Sequence, residues 1–201
     1  MNAKTNSYKQ RMLNLTFIPL AIALNVGLAA IVKTLNLPLF IDSVGTILAT
    51  LLLGWRMGVV VGVLGFVLTA VLINPFAIYF IGTQIVIAVY CFLVGSRGWF
   101  KTITKTIISG LMLGIFTALA SAPVIIVVFQ GATGNGAALV TSFFVKMGHQ
   151  IINSVLLSGF SIEPLDKCLQ CVLAFLILKN IPQSLLEKFE SGCLKENNFI
   201  R

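Results

Sequence analysis

VGTILATLLLGWRMGVVVGVLGFVLTAVLI, residues 44–73, decides the fold class, and Arg56 is its one charged residue. The run does not alternate apolar with polar side chains, so it is not a set of half-buried strands. Gly54, Trp55 and Arg56 divide it into a short helix and a longer one. A helix pairs its backbone donors and acceptors within one segment, which is what hydrocarbon demands. A membrane barrel would show alternation over about ten residues per strand. AVLINPFAIYFIG (70–82) and VLAFLILKNI (172–181) show none.

Composition carries this reading across the chain. Of 201 residues, 58% are hydrophobic and 10% charged, and the mean hydropathy is +1.01. A soluble domain carries roughly 25% charged residues. This chain lacks the polar surface to cover a water-facing globule, so its solvent is lipid. Lys and Arg number 14 against 6 Asp and Glu, a net charge of +8. The basic residues lie between apolar stretches, where they set topology and meet anionic lipid heads. No basic, aromatic-interleaved strand points to nucleic acid. Cys168 and Cys171 have CxxC spacing inside an apolar helix, but zinc needs two further ligands nearby. With Cys91, Cys193 and the lone His149 scattered elsewhere, neither a metal site nor a cofactor is expected.

Residues 1–11 read as a cytoplasmic segment, 12–182 as a transmembrane helical domain, and 183–201 as a cytoplasmic tail. The first apolar run, 13–32, exceeds the roughly 7–15 residues of a signal-peptide core and reads as a retained span. Pro38 interrupts the next stretch, and Asp42 or Ser43 would cap a second helix ending near Leu53. A third span ends near Ile73, and Asn74-Pro75 marks a turn. A fourth covers 77–95, and a fifth covers 106–128 with Pro123 inside it. Beyond the glycine-rich loop 130–138, expected to act as a lid, 139–160 is moderately apolar and 165–181 strongly so. The apolar segments number seven. Six spans, however, place Arg56, Arg97, Lys101, Lys105 and the cluster Lys179, Lys188, Lys195 and Arg201 on the side of the N-terminus, whereas seven would put that cluster outside, against the positive-inside rule. The expectation is an all-α bundle of six transmembrane helices with both termini cytoplasmic. Residues 139–160 would then not cross, or would join 165–181 in one long bent element.

Small residues recur at helical spacing: Gly54, Gly58, Gly62; Gly110, Gly114, Ala118, Ala122; and Ala23 with Gly27. Such stripes let backbones approach in lipid, and most serve packing within one chain. Polar residues at membrane depth usually face a cavity or one another. Ser142, Lys146, His149, Gln150 and Asn153 would share one helix face and line a wet pocket. The same stripe also fits an interfacial helix with a solvated side. Glu163 and Lys167 form a favourable i, i+4 pair, leaving Asp166 the freer acid, able to meet Lys146, cap a helix or bind ligand. Asn74, Tyr79 and Gln84 would flank the outward end of the fourth span, with Tyr79 available to stack on a ring. No Gly-Lys pair, GxSxG or HExxH occurs, so neither an ATPase loop nor a hydrolytic set is present. No catalytic residue is expected.

The chain resembles the substrate-binding S component of energy-coupling factor (ECF) transporters. The resemblance rests on AIALNVGLAA in the first span and on LPLFIDSVGTILATLLLG leading into a glycine-rich third. EPLDKCLQCVLAFLILKNIP near the end completes it. It implies six helices in a bacterial cell membrane and a vitamin-like substrate bound near the extracellular side. It implies as partners a transmembrane coupling subunit and two cytoplasmic ATPases. The family's first-helix Ala-x-x-x-Ala contact is matched most nearly by Ala21 with Asn25 and Ala23 with Gly27. A small polar heterocycle is the expected ligand, with Asp166 or Glu163 for a protonated nitrogen and Asn153 and Gln150 for ring edges. His149, Lys146, Tyr79, Gln84, Asn74 and Asp42 complete the candidate set. A membrane sensor or scaffold and a stand-alone secondary carrier are the rival functions.

Overall fold

The structure is a computed structural model that describes residues 3–131, 133, 136–186, 189 and 193. Seven α-helices of more than two turns occur among the described residues, with no strand. They are α1 (Ala3–Thr34), α2 (Val44–Leu53), α3 (Trp55–Leu72), α4 (Ile81–Ser96), α5 (Ile103–Val127), α6 (Gly136–Lys146) and α7 (Ile151–Asn180). Short 3-10 turns, Pro75–Phe80 and Trp99–Lys101, lead into α4 and α5, and a single turn α8, Gln183–Leu186, follows α7. Four segments are long and apolar enough to cross a membrane: Leu15–Thr34, Trp55–Leu72, Pro75–Ser96 and Ile103–Val127. α7 has 30 residues, about 45 Å at 1.5 Å per residue, but carries Glu163, Asp166 and Lys167 at its middle.

α2 is the hub. All ten of its residues are buried, and it packs against α1, α3, α4 and α7. Ile47, Leu51 and Leu52 join Ile87 of α4 and Cys171 and Leu178 of α7 in the main core cluster. Ten helical residues rise only about 15 Å, half of a hydrocarbon layer about 30 Å thick. The expected second span is therefore only ten helical residues, preceded by irregular chain up to Ser43. Asn36 (φ 54°) and Ile41 (φ 36°) take left-handed backbone there.

The sequence reading of the last third needs correction. α6 stops at Lys146, and Gly148 (φ 92°) turns the chain before α7 starts at Ile151. α7 then runs unbroken past Pro164. Neither a helix over 139–160 nor a separate one over 165–181 exists; the long final element does, beginning at 151. Ala132, Gly134 and Asn135 of the expected lid, and most of 187–201, lie outside the described residues.

The stripes of α3 and α5 pack within the chain, whereas Ala23 and Gly27 of α1 are exposed. A Cβ on Gly58 would strike Thr50 of α2, and one on Gly62 would strike Gln84 of α4. α5 and α7 form the most extensive helix pair. At their crossing, a Cβ on Gly114 would run into the Pro164 backbone and the Glu163 carbonyl. Gly114→Leu should thus separate α5 from α7 and lower stability by about 1–3 kcal/mol or more. Met112→Leu, two residues away on an exposed face, should leave the thermal unfolding midpoint in detergent unchanged; equal midpoints for both variants would contradict this packing.

Candidate functional site

Asp42, Glu163 and Asp166 are the only acidic residues before Glu187 in the sequence. They converge on one ammonium. Lys167 Nζ donates to Asp166 Oδ2 at 2.6 Å and lies 3.6 Å from Glu163 Oε2 and 4.0 Å from Asp42 Oδ1. The Phe40 ring centroid is 5.8 Å from the same nitrogen. Glu163, Asp166, Lys167 and Gln170 follow i, i+3, i+4, i+7, which puts all four on one face of α7. That face meets the start of α2 and the irregular segment before it.

The acids divide the work. Asp166 is wholly buried, and both its oxygens are engaged. Oδ1 accepts the Phe40 and Ile41 backbone N–H groups at 2.9 and 3.0 Å, and Oδ2 accepts Lys167 and Gln170 Nε2, the latter at 2.7 Å. It clamps the left-handed backbone at Ile41 to α7. Gln170 Oε1 accepts the Ser43 N–H at 2.9 Å. Asp166 is therefore not the freer acid, and it does not meet Lys146, which is exposed elsewhere.

Asp42 and Glu163 face space instead. They line a cavity of about 290 Å³ with Lys167, between α1, α3, α5, α6 and α7. Glu163 Oε2 accepts Thr117 Oγ1 at 2.9 Å, and Asp42 Oδ1 accepts Ser43 Oγ at 2.7 Å. Among the described residues, no other residue donates a hydrogen bond to Glu163 Oε1 or Asp42 Oδ2, and both residues line the cavity. Opposite them stand hydroxyls: Ser121, and Thr141 hydrogen-bonded to Ser158 at 2.8 Å. Phe40, Phe66 and Phe80 supply aromatic wall. At the rim, Lys33 Nζ donates to the Ile73 carbonyl at 2.8 Å.

Behind the cavity, the N-terminus of α2 is capped by other helices. Asp42 does not cap it, and the Ser43 side chain makes no capping bond. Asn25 of α1 does so: its Oδ1 accepts the Gly45 N–H at 2.6 Å, and its Nδ2 donates to Thr46 Oγ1 at 3.0 Å. Gln84 of α4 accepts from Thr46 Oγ1 at 2.8 Å and donates to Ser43 Oγ at 2.7 Å. Gln84 thus belongs to the capping network and not to the cavity wall.

Of the sequence-predicted site, Asp42, Glu163 and Asn74 line the cavity, and Asp166 stands directly behind it. Asn74 also caps its own turn, its side chain accepting the Phe76 N–H at 3.3 Å. Ser142, Lys146, His149, Gln150 and Asn153 are exposed and lie outside the cavity wall. Their common face fails because the chain breaks at Gly148, placing them on two helices and a turn. Tyr79 is also outside, half exposed and edge-on to Phe129 at 5.7 Å. Ala21 is buried against Gly45, whereas Ala23 and Gly27 are exposed on α1. The reading missed Lys167 as the hub, and missed Thr117, Ser121, Thr141 and Ser158. The signal was present in the 163–166–167–170 spacing, but pairing Glu163 with Lys167 alone hid it. Among the described residues, no group of His, Cys, Asp and Glu has the makings of a metal site.

Removing Lys167 strands three carboxylates in a buried place. Lys167→Met should destabilise the fold by about 3–5 kcal/mol, the usual result of breaking a buried ion pair from one side. Lys167→Met with Glu163→Gln should recover part of that loss in detergent unfolding curves, because fewer charges are left unpaired. A double variant no more stable than the single one would contradict the hub role. No protein-family model, no curated protein and no solved structure matches the chain.

Proposed function

We propose that this protein is the substrate-binding membrane subunit of an ATP-driven importer of the ECF type, capturing a small polar heterocycle. The observation that carries the proposal is the walled cavity lined by two carboxylates at mid-depth of an apolar helical bundle. Burying acids in lipid is costly, and such residues ordinarily serve a wet pathway or a ligand. A volume of about 290 Å³ sits at the lower end of small-molecule sites, roughly 300–1,000 Å³. It suits a single- or double-ring compound.

Charge orients the site. Arg56, Arg97, Lys101, Lys105 and Lys179 lie at the end of the bundle where α2 meets α3, α4 meets α5, and α7 finishes. The cavity opens toward the other end, by Thr34, Asn36, Ile73 and Asn74. The positive-inside rule makes the basic end cytoplasmic, so the cavity faces outward. In this reading α2 with the segment before it counts as one crossing, α7 as the sixth, and α6 does not cross. Both termini are then cytoplasmic, in a bacterial cell membrane. The coupling subunit and two ATPases supply the energy, and the exposed Ala23 and Gly27 of α1 face the coupling subunit.

Purification in mild detergent, followed by mass spectrometry, should recover a bound small heterocycle together with those partner subunits. Glu163→Ala and Asp42→Ala should each weaken capture by about 1–3 kcal/mol through a lost or unpaired buried contact. Gln150→Ala and Asn153→Ala should leave it unchanged. Recovery of no small molecule and no coupling subunit would remove the importer reading, and uptake without ATPases would favour a stand-alone carrier.

A further inference from the structure

We infer that the occupant of this cavity is a small organic cation whose charge sits on a nitrogen bearing N–H groups. The inference rests on the capture reading above and names the ligand class within it. Three carboxylates meet one ammonium, so the cluster is acidic in excess when all are ionised. Lys33, at the rim, does not reverse the excess and is engaged with the Ile73 carbonyl.

The geometry narrows the class. Lys167 is 3.6 Å from Glu163 and 4.0 Å from Asp42, within range for Coulomb attraction but beyond hydrogen-bond length. Its short contact goes to Asp166. The two cavity-facing acids are therefore held by charge without being saturated. Each keeps an oxygen to which no other described residue donates, and Glu163 keeps it while 7% exposed as a residue. A second cation carrying N–H donors would complete both acids and reduce the excess. An anion would meet two carboxylates, with Lys167 already paired and Lys33 engaged at the Ile73 carbonyl. A quaternary ammonium has no N–H for those oxygens, and would need an aromatic cage where this cavity offers acceptors. The Phe40 and Phe80 rings give a flat apolar body a surface to lie against. Asp42 lies on the irregular segment and Glu163 on α7, so a cation between them would also bind segment to helix.

Benzylamine, benzyl alcohol, benzoate and benzyltrimethylammonium share one ring and differ in head group. Their binding to the full chain in lipid nanodiscs near neutral pH, read by thermal shift and calorimetric titration, tests the inference. Benzylamine should bind at least tenfold more tightly than the other three. Glu163→Gln and Asp42→Asn keep size and shape, and each should reduce the preference for benzylamine over benzyl alcohol severalfold. The unfolding midpoint of each unliganded variant checks that it is folded. Benzyl alcohol, benzoate or benzyltrimethylammonium binding as well as benzylamine would overturn the charge assignment and leave the capture reading standing. A preference unmoved in both variants would overturn the role of these carboxylates. Binding of none of the four would overturn both the inference and the capture reading.

Discussion

The N-terminus of α2 is the constraint on which the rest depends. A helix begins with backbone N–H groups that have no partner inside it, and here that end lies inside an apolar bundle. It meets α1 at Ala21 and Asn25, near the middle of the first span. It meets α4 at Gln84 and α7 at Gln170. Hydrocarbon offers no water to these donors, and each left bare would cost several kcal/mol. Asn25 and Gln170 accept the Gly45 and Ser43 N–H groups instead, and Gln84 holds the Ser43 and Thr46 hydroxyls beside them. The result fixes depth and rotation of α1, α4 and α7 at once, because each amide must reach one end of one short helix.

The cavity follows from the same constraint. Because α2 has only ten residues, the irregular chain before it is also drawn in among the helices. Irregular backbone at such depth is tolerated where protein encloses it or where it lines a wet space. Both occur here. Asp166 and Gln170 take up the N–H groups of Phe40, Ile41 and Ser43, and the remainder of the segment forms a cavity wall. A broken helix whose N-terminal end lies beside a site at mid-depth is a recurrent device of membrane transporters. Here the acids beside that end draw their balance from Lys167 rather than from ligand alone.

The sequence made the helical class and most of the boundaries legible. Long apolar runs and punctuation at Gly54 and Asn74-Pro75 depend only on local chemistry, and they place α3 and α4 within a few residues. The glycine stripes also read correctly, since close backbone contact demands a missing side chain whatever the partner. Three features were not legible. Gly148 inside a periodic polar pattern looks tolerable, yet it turns the chain and scatters Lys146, His149 and Asn153. Pro164 looks like a breaker, yet α7 continues through it. The trans-capping of α2 by Asn25 links residues twenty positions apart, and no local rule anticipates which amide reaches which donor.

The division between Asp166 and Glu163 shows why residue type alone could not assign the site. Both are acids on one face of α7, both contact Lys167, and a count of charges treats them alike. Three residues of helix turn Asp166 toward backbone donors and leave Glu163 beside open volume. Asp, with the shorter arm, suits the clamp, because two N–H groups at 2.9 and 3.0 Å fix its carboxylate. Glu, with one more methylene, reaches Thr117 across the α5 interface while its other oxygen stays available. Gly114 makes that reach possible by letting α5 and α7 close to backbone contact at Pro164. A glycine required for packing thus sets the distance at which the Glu163 carboxylate meets Thr117.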